Sequence, residues 1–102
     1  MSHKKMYVLV RNDLETTYRC VQGGHALAQF ALENPEEFQE WDNETIVFLA
    51  CKGIDELLTY HIKAMDHCLP VSSFEEPDLN SQITGIACYC NGKIFKKLPL
   101  AR

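Results

Sequence analysis

Long hydrophobic runs are absent from this chain of 102 residues. No run approaches the roughly 18 consecutive apolar residues that an α-helix needs to cross a bilayer, so we expect no membrane span. The first residues lead into a short apolar stretch followed by Arg11 and Asp13. That pattern is typical of a strand and not of a signal peptide. The sequence also lacks repeats, linkers and low-complexity segments, and it therefore predicts a single domain over residues 1–102.

The signatures of several enzyme classes are also missing. There is no GxGxxG, P-loop, HExxH or GxSxG motif, and neither His61 nor His67 stands at metal-ligand spacing from a second ligand. We therefore expect no metal and no cofactor. An odd number of cysteines, none at CxxC spacing and each inside an apolar segment, predicts buried free thiols in a reducing cytoplasm; they are Cys20, Cys51, Cys68, Cys88 and Cys90.

Basic residues are outnumbered by acidic ones, ten to fourteen, which gives a formal net charge of −4. This balance counts against nonspecific binding of nucleic acid, which depends on neutralising phosphates. The charges are unevenly placed, because an acidic block occupies residues 33–44 and most basic residues lie near the two ends. A basic surface forms only if the fold brings those ends together.

Apolar periodicity predicts four strands and three helical segments in the order strand, helix, helix, strand, helix, strand, strand. The predicted strands are 6–10, 45–50, 71–75 and 83–89, and the predicted helices are 16–34, 35–41 and 54–66. Thr16 or Thr17 is expected to cap the first helix, and Asn91-Gly92 is a turn that could form a hairpin. This order predicts a three-layer α/β/α sandwich with a four-stranded mixed sheet.

The first helix carries two stripes. The expected core stripe is Cys20, Gly24, Leu27, Ala28 and Ala31, and a polar stripe holds Tyr18, Gln22, His25 and Gln29. With Arg19 nearby, the polar stripe predicts a corner that attracts anions. The alternative is that His25 is structural and that Gly23-Gly24, unfavourable in a helix, serves tight packing against the sheet.

The loop 74–82 places three carboxylates and several neutral hydrogen-bonding groups around Pro77. Ligands of open α/β sheets bind beyond the carboxyl ends of the strands, where this loop and residues 11–17 are expected to meet. A solvated turn is an equally good interpretation of the same composition.

Three segments together resemble the second, archaeal-type family of peptidyl-tRNA hydrolases. They are Val10-Arg11-x-Asp13-Leu14, Gln22-x-x-His25-Ala26 and Ser81-Gln82-Ile83, and Leu69-Pro70 matches a further short motif. The resemblance covers residues 6–89. The lysine of the family falls on Tyr18, next to Arg19, and its aspartate falls on Pro77, between Glu76 and Asp78.

The resemblance implies a metal-independent esterase that cleaves the bond between a peptide and the 3′ ribose of tRNA in the cytoplasm. In this hypothesis the catalytic residues are Arg19, His25, Asp78 and Ser81, and the substrate-binding residues are Tyr18, Gln22, Glu76 and Asn80. Arg19 contacts a phosphate or the oxyanion, and Asp78 or Glu76 orients the water. The alternatives are an inactive relative that binds RNA or protein, and a hydrolase of a smaller ester or amide. A homodimer is compatible with a domain of this size.

Overall fold

The computed structural model describes residues 3–101 and contains four strands and three α-helices in the expected order. Two short 3-10 turns, Pro77–Leu79 and Lys93–Phe95, flank the last strand. The elements are β1 Lys5–Arg11, α1 Thr16–Glu33, α2 Pro35–Trp41, β2 Ile46–Cys51, α3 Ile54–Asp66, β3 Val71–Glu76 and β4 Gln82–Cys90.

The four strands form one mixed sheet in the order β2-β1-β4-β3. The two central strands, β1 and β4, are the most buried. Strand β1 pairs parallel to β2 and antiparallel to β4, which pairs antiparallel to β3. It follows that β1, β2 and β3 point the same way. Their carboxyl ends and the start of β4 therefore lie along one side of the sheet, across the strand direction, which we call the carboxyl edge; the other side is the opposite edge.

Successive residues of β1 serve opposite faces of the sheet, because side chains alternate along a strand. Met6, Val8 and Val10 pack with Ala26 and Phe30 of α1. On the other face, Leu9 belongs to a second core that contains Leu57 and Ala64 of α3. The predicted three-layer sandwich is therefore confirmed.

Capping residues explain where α1 and α2 begin, and the cap of α1 is not the one expected. The carboxylate of Glu15, and not a threonine hydroxyl, caps α1 by accepting a hydrogen bond of 2.9 Å from the Thr17 amide. Pro35 stands in the first turn of α2, where its missing N–H costs nothing. Beyond β4 the Asn91-Gly92 turn leads into a 3-10 turn and not into a hairpin strand. The tail then returns to β2, where Leu100 bridges Leu49.

The predicted core stripe of α1 is wrong at three of its five positions, whereas Leu27 packs against the core and Ala31 is half-buried. The buried positions are Gln22, Gly23, Ala26 and Phe30, whereas Cys20, Gly24 and Ala28 are exposed. The helix is therefore rotated so that part of the polar stripe faces the sheet.

The cysteine prediction holds for three of five thiols. Cys51, Cys88 and Cys90 are buried and free, whereas Cys20 and Cys68 are free but exposed, because Cys68 follows the end of α3 and Cys20 lies at the margin of α1. Between His3 and Ala101, no helix has the length and apolar content required to span a membrane.

Candidate active site

Residues 11–17 and the loop 74–82, which are predicted to meet, do so at the sheet edge that holds the carboxyl ends of β1 and β3, where Arg11 donates a hydrogen bond of 3.0 Å to the Gln82 side chain. The loop is also joined to α1, by a hydrogen bond of 2.7 Å from the side-chain amide of Gln22 to a carboxylate oxygen of Glu76, at the end of β3. Gln22 and Glu76 are 54 positions apart in the chain. The crossover through α1 and the placement of β3 beside β4 bring them together.

Gln22 is fully buried, and both ends of its amide are satisfied. While its nitrogen donates to Glu76, its oxygen accepts a hydrogen bond of 2.5 Å from the hydroxyl of Thr84, which is also fully buried. The Thr84 hydroxyl lies 3.5 Å from the carbonyl oxygen of Phe74. Because a satisfied buried amide has one favourable orientation, this chain of contacts fixes the direction in which Gln22 presents its N–H to Glu76.

The Glu76 carboxylate collects several donors. One oxygen accepts from Gln22, and the other lies 3.3 Å from the backbone amide of Asp78. The hydrogen bond from Gln22, followed by those from the Asp78 amide and the Tyr18 hydroxyl and by the charge of nearby His25, lowers the pKa of Glu76. Glu76 is therefore ionised at neutral pH. The same neighbourhood raises the pKa of Tyr18, through burial first and then through the charge of Glu76.

His25 lies one turn after Gln22 on the same side of α1. Its ring stacks on the ring of Phe74, with centroids 4.4 Å apart and planes inclined by 12°. The residue is exposed, so stacking fixes the plane of the imidazole and leaves its nitrogens open to solvent. A histidine held in this way can donate or accept a hydrogen bond at the edge of the Glu76 cluster.

The other predicted site residues of the loop lie around Glu76, and their side chains form no hydrogen bonds with one another. Asp78, Asn80 and Ser81 are exposed, and the Ser81 amide donates to the Glu76 carbonyl at 3.0 Å. Asn80 and Ser81 both have positive φ, at 54° and 60°. This left-handed pair reverses the chain between Pro77–Leu79 and β4, and it holds both side chains at the rim.

Arg19 is separated from this set. Its guanidinium donates to the side-chain oxygens of Asn12, at 2.5 Å, and of Thr16, at 2.7 Å. Within residues 3–101 it hydrogen-bonds none of the other predicted site residues. One position along a helix turns the side chain by about 100°, which directs Tyr18 toward β3 and Arg19 toward β2.

A second polar cluster at the same edge was not identified as part of the site from the sequence. Arg11, only 5% exposed, ends β1 and clamps both carboxylate oxygens of Asp13 at 3.0 and 2.7 Å. It also donates to the side chain of Gln82 at 3.0 Å and to the carbonyl of Ile83 at 3.1 Å. The arginine lowers the pKa of Asp13 through these hydrogen bonds. The sequence signal for this pair is the spacing: Arg11 ends a buried strand and Asp13 follows two positions later.

The start of β1 and the turn after β4 meet at the opposite edge of the sheet. His3, Lys4 and Lys5 line one surface pocket together with Lys93. Glu44 also lines this pocket, and Lys4 pairs with Glu40 at 3.6 Å. Three of the basic residues near the two ends of the chain, Lys4, Lys5 and Lys93, therefore lie together with acidic residues at their border, whereas Arg11 and Arg19 lie at the other edge and Arg102 is outside the described residues.

Comparison with known proteins agrees with this architecture. A protein of unknown function from Agrobacterium tumefaciens strain C58 has the same fold, with a TM-score of 0.76 at 15% identity and complete coverage of both chains. No curated protein matches the chain. The family model for peptidyl-tRNA hydrolase PTH2 matches residues 4–90, which include β1, the Gln22–His25 segment and the loop before β4. This chain belongs to the peptidyl-tRNA hydrolase PTH2 family.

Proposed function

We propose that the protein is a peptidyl-tRNA hydrolase-type esterase in which the Glu76 carboxylate positions the attacking water. The observation that carries the proposal is the buried Gln22 amide, braced by Thr84 and directed at Glu76. A carboxylate has about four acceptor sites. Gln22 and the Asp78 amide take two of them, one on each oxygen, and the remaining acceptor positions are open to a water.

The reaction consumes one water for each ester bond. Water oxygen bonds to the ester carbonyl carbon while its proton moves toward Glu76. The bond from that carbon to the ribose 3′ oxygen then breaks, and the ribose oxygen takes the proton. The exposed nitrogens of His25 and the side chains of Asn80 and Ser81 face the solvent around Glu76, where they can donate to the developing oxyanion or to the ribose.

Phosphate binding requires cations, and the charged side chains closest to Glu76 are acidic. Asp13, Glu75 and Asp78 are exposed at this edge, and Arg11 is occupied by Asp13. We assign the phosphate contacts to Lys5 and Lys93 and their neighbours at the other edge. The seven residues of β1 separate the two edges by about 20 Å, at about 3.3 Å per residue. A tRNA acceptor stem is long enough to reach both, and such a substrate places the protein in the cytoplasm.

A hydrolase of a smaller, uncharged ester or amide is the second candidate. The acidic rim around Glu76 favours it, because carboxylates repel the phosphates nearest the ester. This candidate uses the same water and the same Glu76, and it needs no contact with the lysines.

The two candidates are distinguished by offering the protein N-acetyl-leucyl-tRNA and N-acetyl-leucine methyl ester. The proposal predicts release of N-acetyl-leucine from the tRNA substrate, with a KM that rises with salt and rises further in Lys5→Gln/Lys93→Gln. Lys63→Gln, an exposed lysine on α3, is the matched control and should leave KM unchanged. Turnover of the methyl ester alone supports the second candidate. Salt-dependent tRNA binding without turnover of either substrate indicates an inactive RNA-binding relative.

A further inference from the structure

A cavity of about 330 Å³ lies on the side of α1 that faces β2, away from the Glu76 cluster. Its walls come from the end of β1, the first turns of α1, the middle of β2 and the C-terminal tail. The lining residues are Val10, Thr16, Arg19, Cys20, Phe48 and Ala101. None of them takes part in the proposed hydrolysis.

The cavity is built by fixed contacts. The Phe48 ring packs so close to Gly23 that a methyl group there would lie 2.7 Å from the ring edge. The opposite wall is the tail, whose Ala101 amide donates to the Phe48 carbonyl at 2.9 Å. The Ala50 amide donates to the Pro99 carbonyl at the same distance. An apolar pocket that is already formed loses little entropy when it is filled.

The charged residue in this cavity is Arg19, a cation that pairs with no carboxylate of residues 3–101. Arg19 is half-buried, and its two terminal nitrogens donate to neutral oxygens of Asn12 and Thr16. Its Nε is shielded from solvent and has no hydrogen-bond partner. Among residues 3–101, the ion pairs within 4 Å are Lys4–Glu40 and Arg11–Asp13, so no carboxylate of this part of the chain neutralises Arg19.

We propose that this cavity binds a small carboxylate with an apolar body, such as a medium-chain fatty acid. The carboxylate accepts from the N–H groups of the terminal guanidinium nitrogens that Asn12 and Thr16 leave free, and it supplies a negative charge opposite the half-buried cation. The apolar body lies against Phe48 and Val10. The volume is at the lower end of the range for ligand pockets, about 300–1,000 Å³, which suits a ligand of roughly ten non-hydrogen atoms.

The test is a titration of the full chain with octanoate and with its neutral counterpart octanol, followed by NMR. Wild type should bind octanoate at least tenfold more tightly than octanol. Arg19→Gln should abolish that preference and leave octanol binding unchanged, whereas Arg19→Lys should retain part of it. Lys52→Gln removes an exposed cation near the same sheet edge and should bind as wild type. Equal affinity for the two ligands, or an unchanged preference in Arg19→Gln, overturns the proposal.

A second readout needs no substitution. Cys20 lines the cavity and is exposed, and Cys68 is an exposed thiol outside it. Saturating octanoate should slow alkylation of Cys20 by iodoacetamide severalfold, as measured by mass spectrometry, and should leave Cys68 unaffected. Equal rates at Cys20 with and without octanoate contradict binding at this place, even if octanoate binds elsewhere.

Discussion

Replacement of Gln22 by leucine tests the buried hydrogen-bond chain on which the site depends. Leucine keeps the volume of the side chain but offers no partner to the Thr84 hydroxyl, which is fully buried. An unsatisfied buried polar group costs about 1–3 kcal/mol, and the weak 3.5 Å contact to Phe74 recovers little of it. We therefore expect Gln22→Leu to lower the free energy of unfolding by about 1–3 kcal/mol. Urea denaturation measures this loss directly.

A double-mutant cycle makes that prediction specific. Thr84→Val removes the hydroxyl, so in the wild-type background it strands the Gln22 oxygen and should cost about 1–3 kcal/mol. In the Gln22→Leu background the same change should cost nothing, because replacing both partners by apolar groups leaves no unsatisfied atom. The control is Gln29→Leu, which loses only a surface contact to Glu33 and should cost at most about 0.5 kcal/mol. Additive costs of Gln22→Leu and Thr84→Val would refute the reasoning.

Three other outcomes are expected. Gly23→Ala should destabilise the fold by about 1–3 kcal/mol, because the added carbon would lie 2.7 Å from Phe48. Gly24→Ala meets nothing within 4 Å and should stabilise α1 by up to about 1 kcal/mol; thermal unfolding compares the pair, and equal signs would contradict the packing. Asp13→Asn should lower stability at neutral pH, because Arg11 loses its counter-charge. The pKa of Asp13 is lowered in the folded state, so its contribution is present above the unfolded pKa and is lost as the pH falls through the folded pKa. Stability curves of wild type and Asp13→Asn should therefore converge in acid, and a constant gap would contradict this.

Local sequence patterns predict most of the fold because the strands and helices follow burial periodicity. The bounds of α2 and α3 agree with expectation, and Pro35 explains one of them. The prediction of the buried face of α1 is wrong because small apolar residues such as Cys20 indicate a core stripe that the fold does not use. Gln22 is buried instead, since its partner Thr84 lies 62 residues away, a contact that periodicity does not encode.

The candidate site likewise has features that the sequence predicts and features that depend on long-range contacts. The meeting of α1 with the loop around Glu76 follows from strand order, which places the carboxyl ends of β1 and β3 at one edge. The direction of Arg19 does not follow from spacing alone, because it depends on Asn12 and Thr16 as hydrogen-bond partners. The sequence places Arg11 in the family motif but does not predict its burial, because a charged residue at the end of an apolar strand is usually solvated.

The role of Glu76 is tested most directly by single-turnover release of N-acetyl-leucine from its tRNA by Glu76→Gln and Glu75→Gln. The two changes remove the same charge from adjacent residues, but only Glu76 is held by Gln22. A loss of at least a hundredfold in Glu76→Gln, with Glu75→Gln close to wild type, is the expected result, since a positioned base contributes roughly 10²–10⁴-fold. Equal rates for the two variants and the wild type would contradict the assignment of Glu76 to the attacking water.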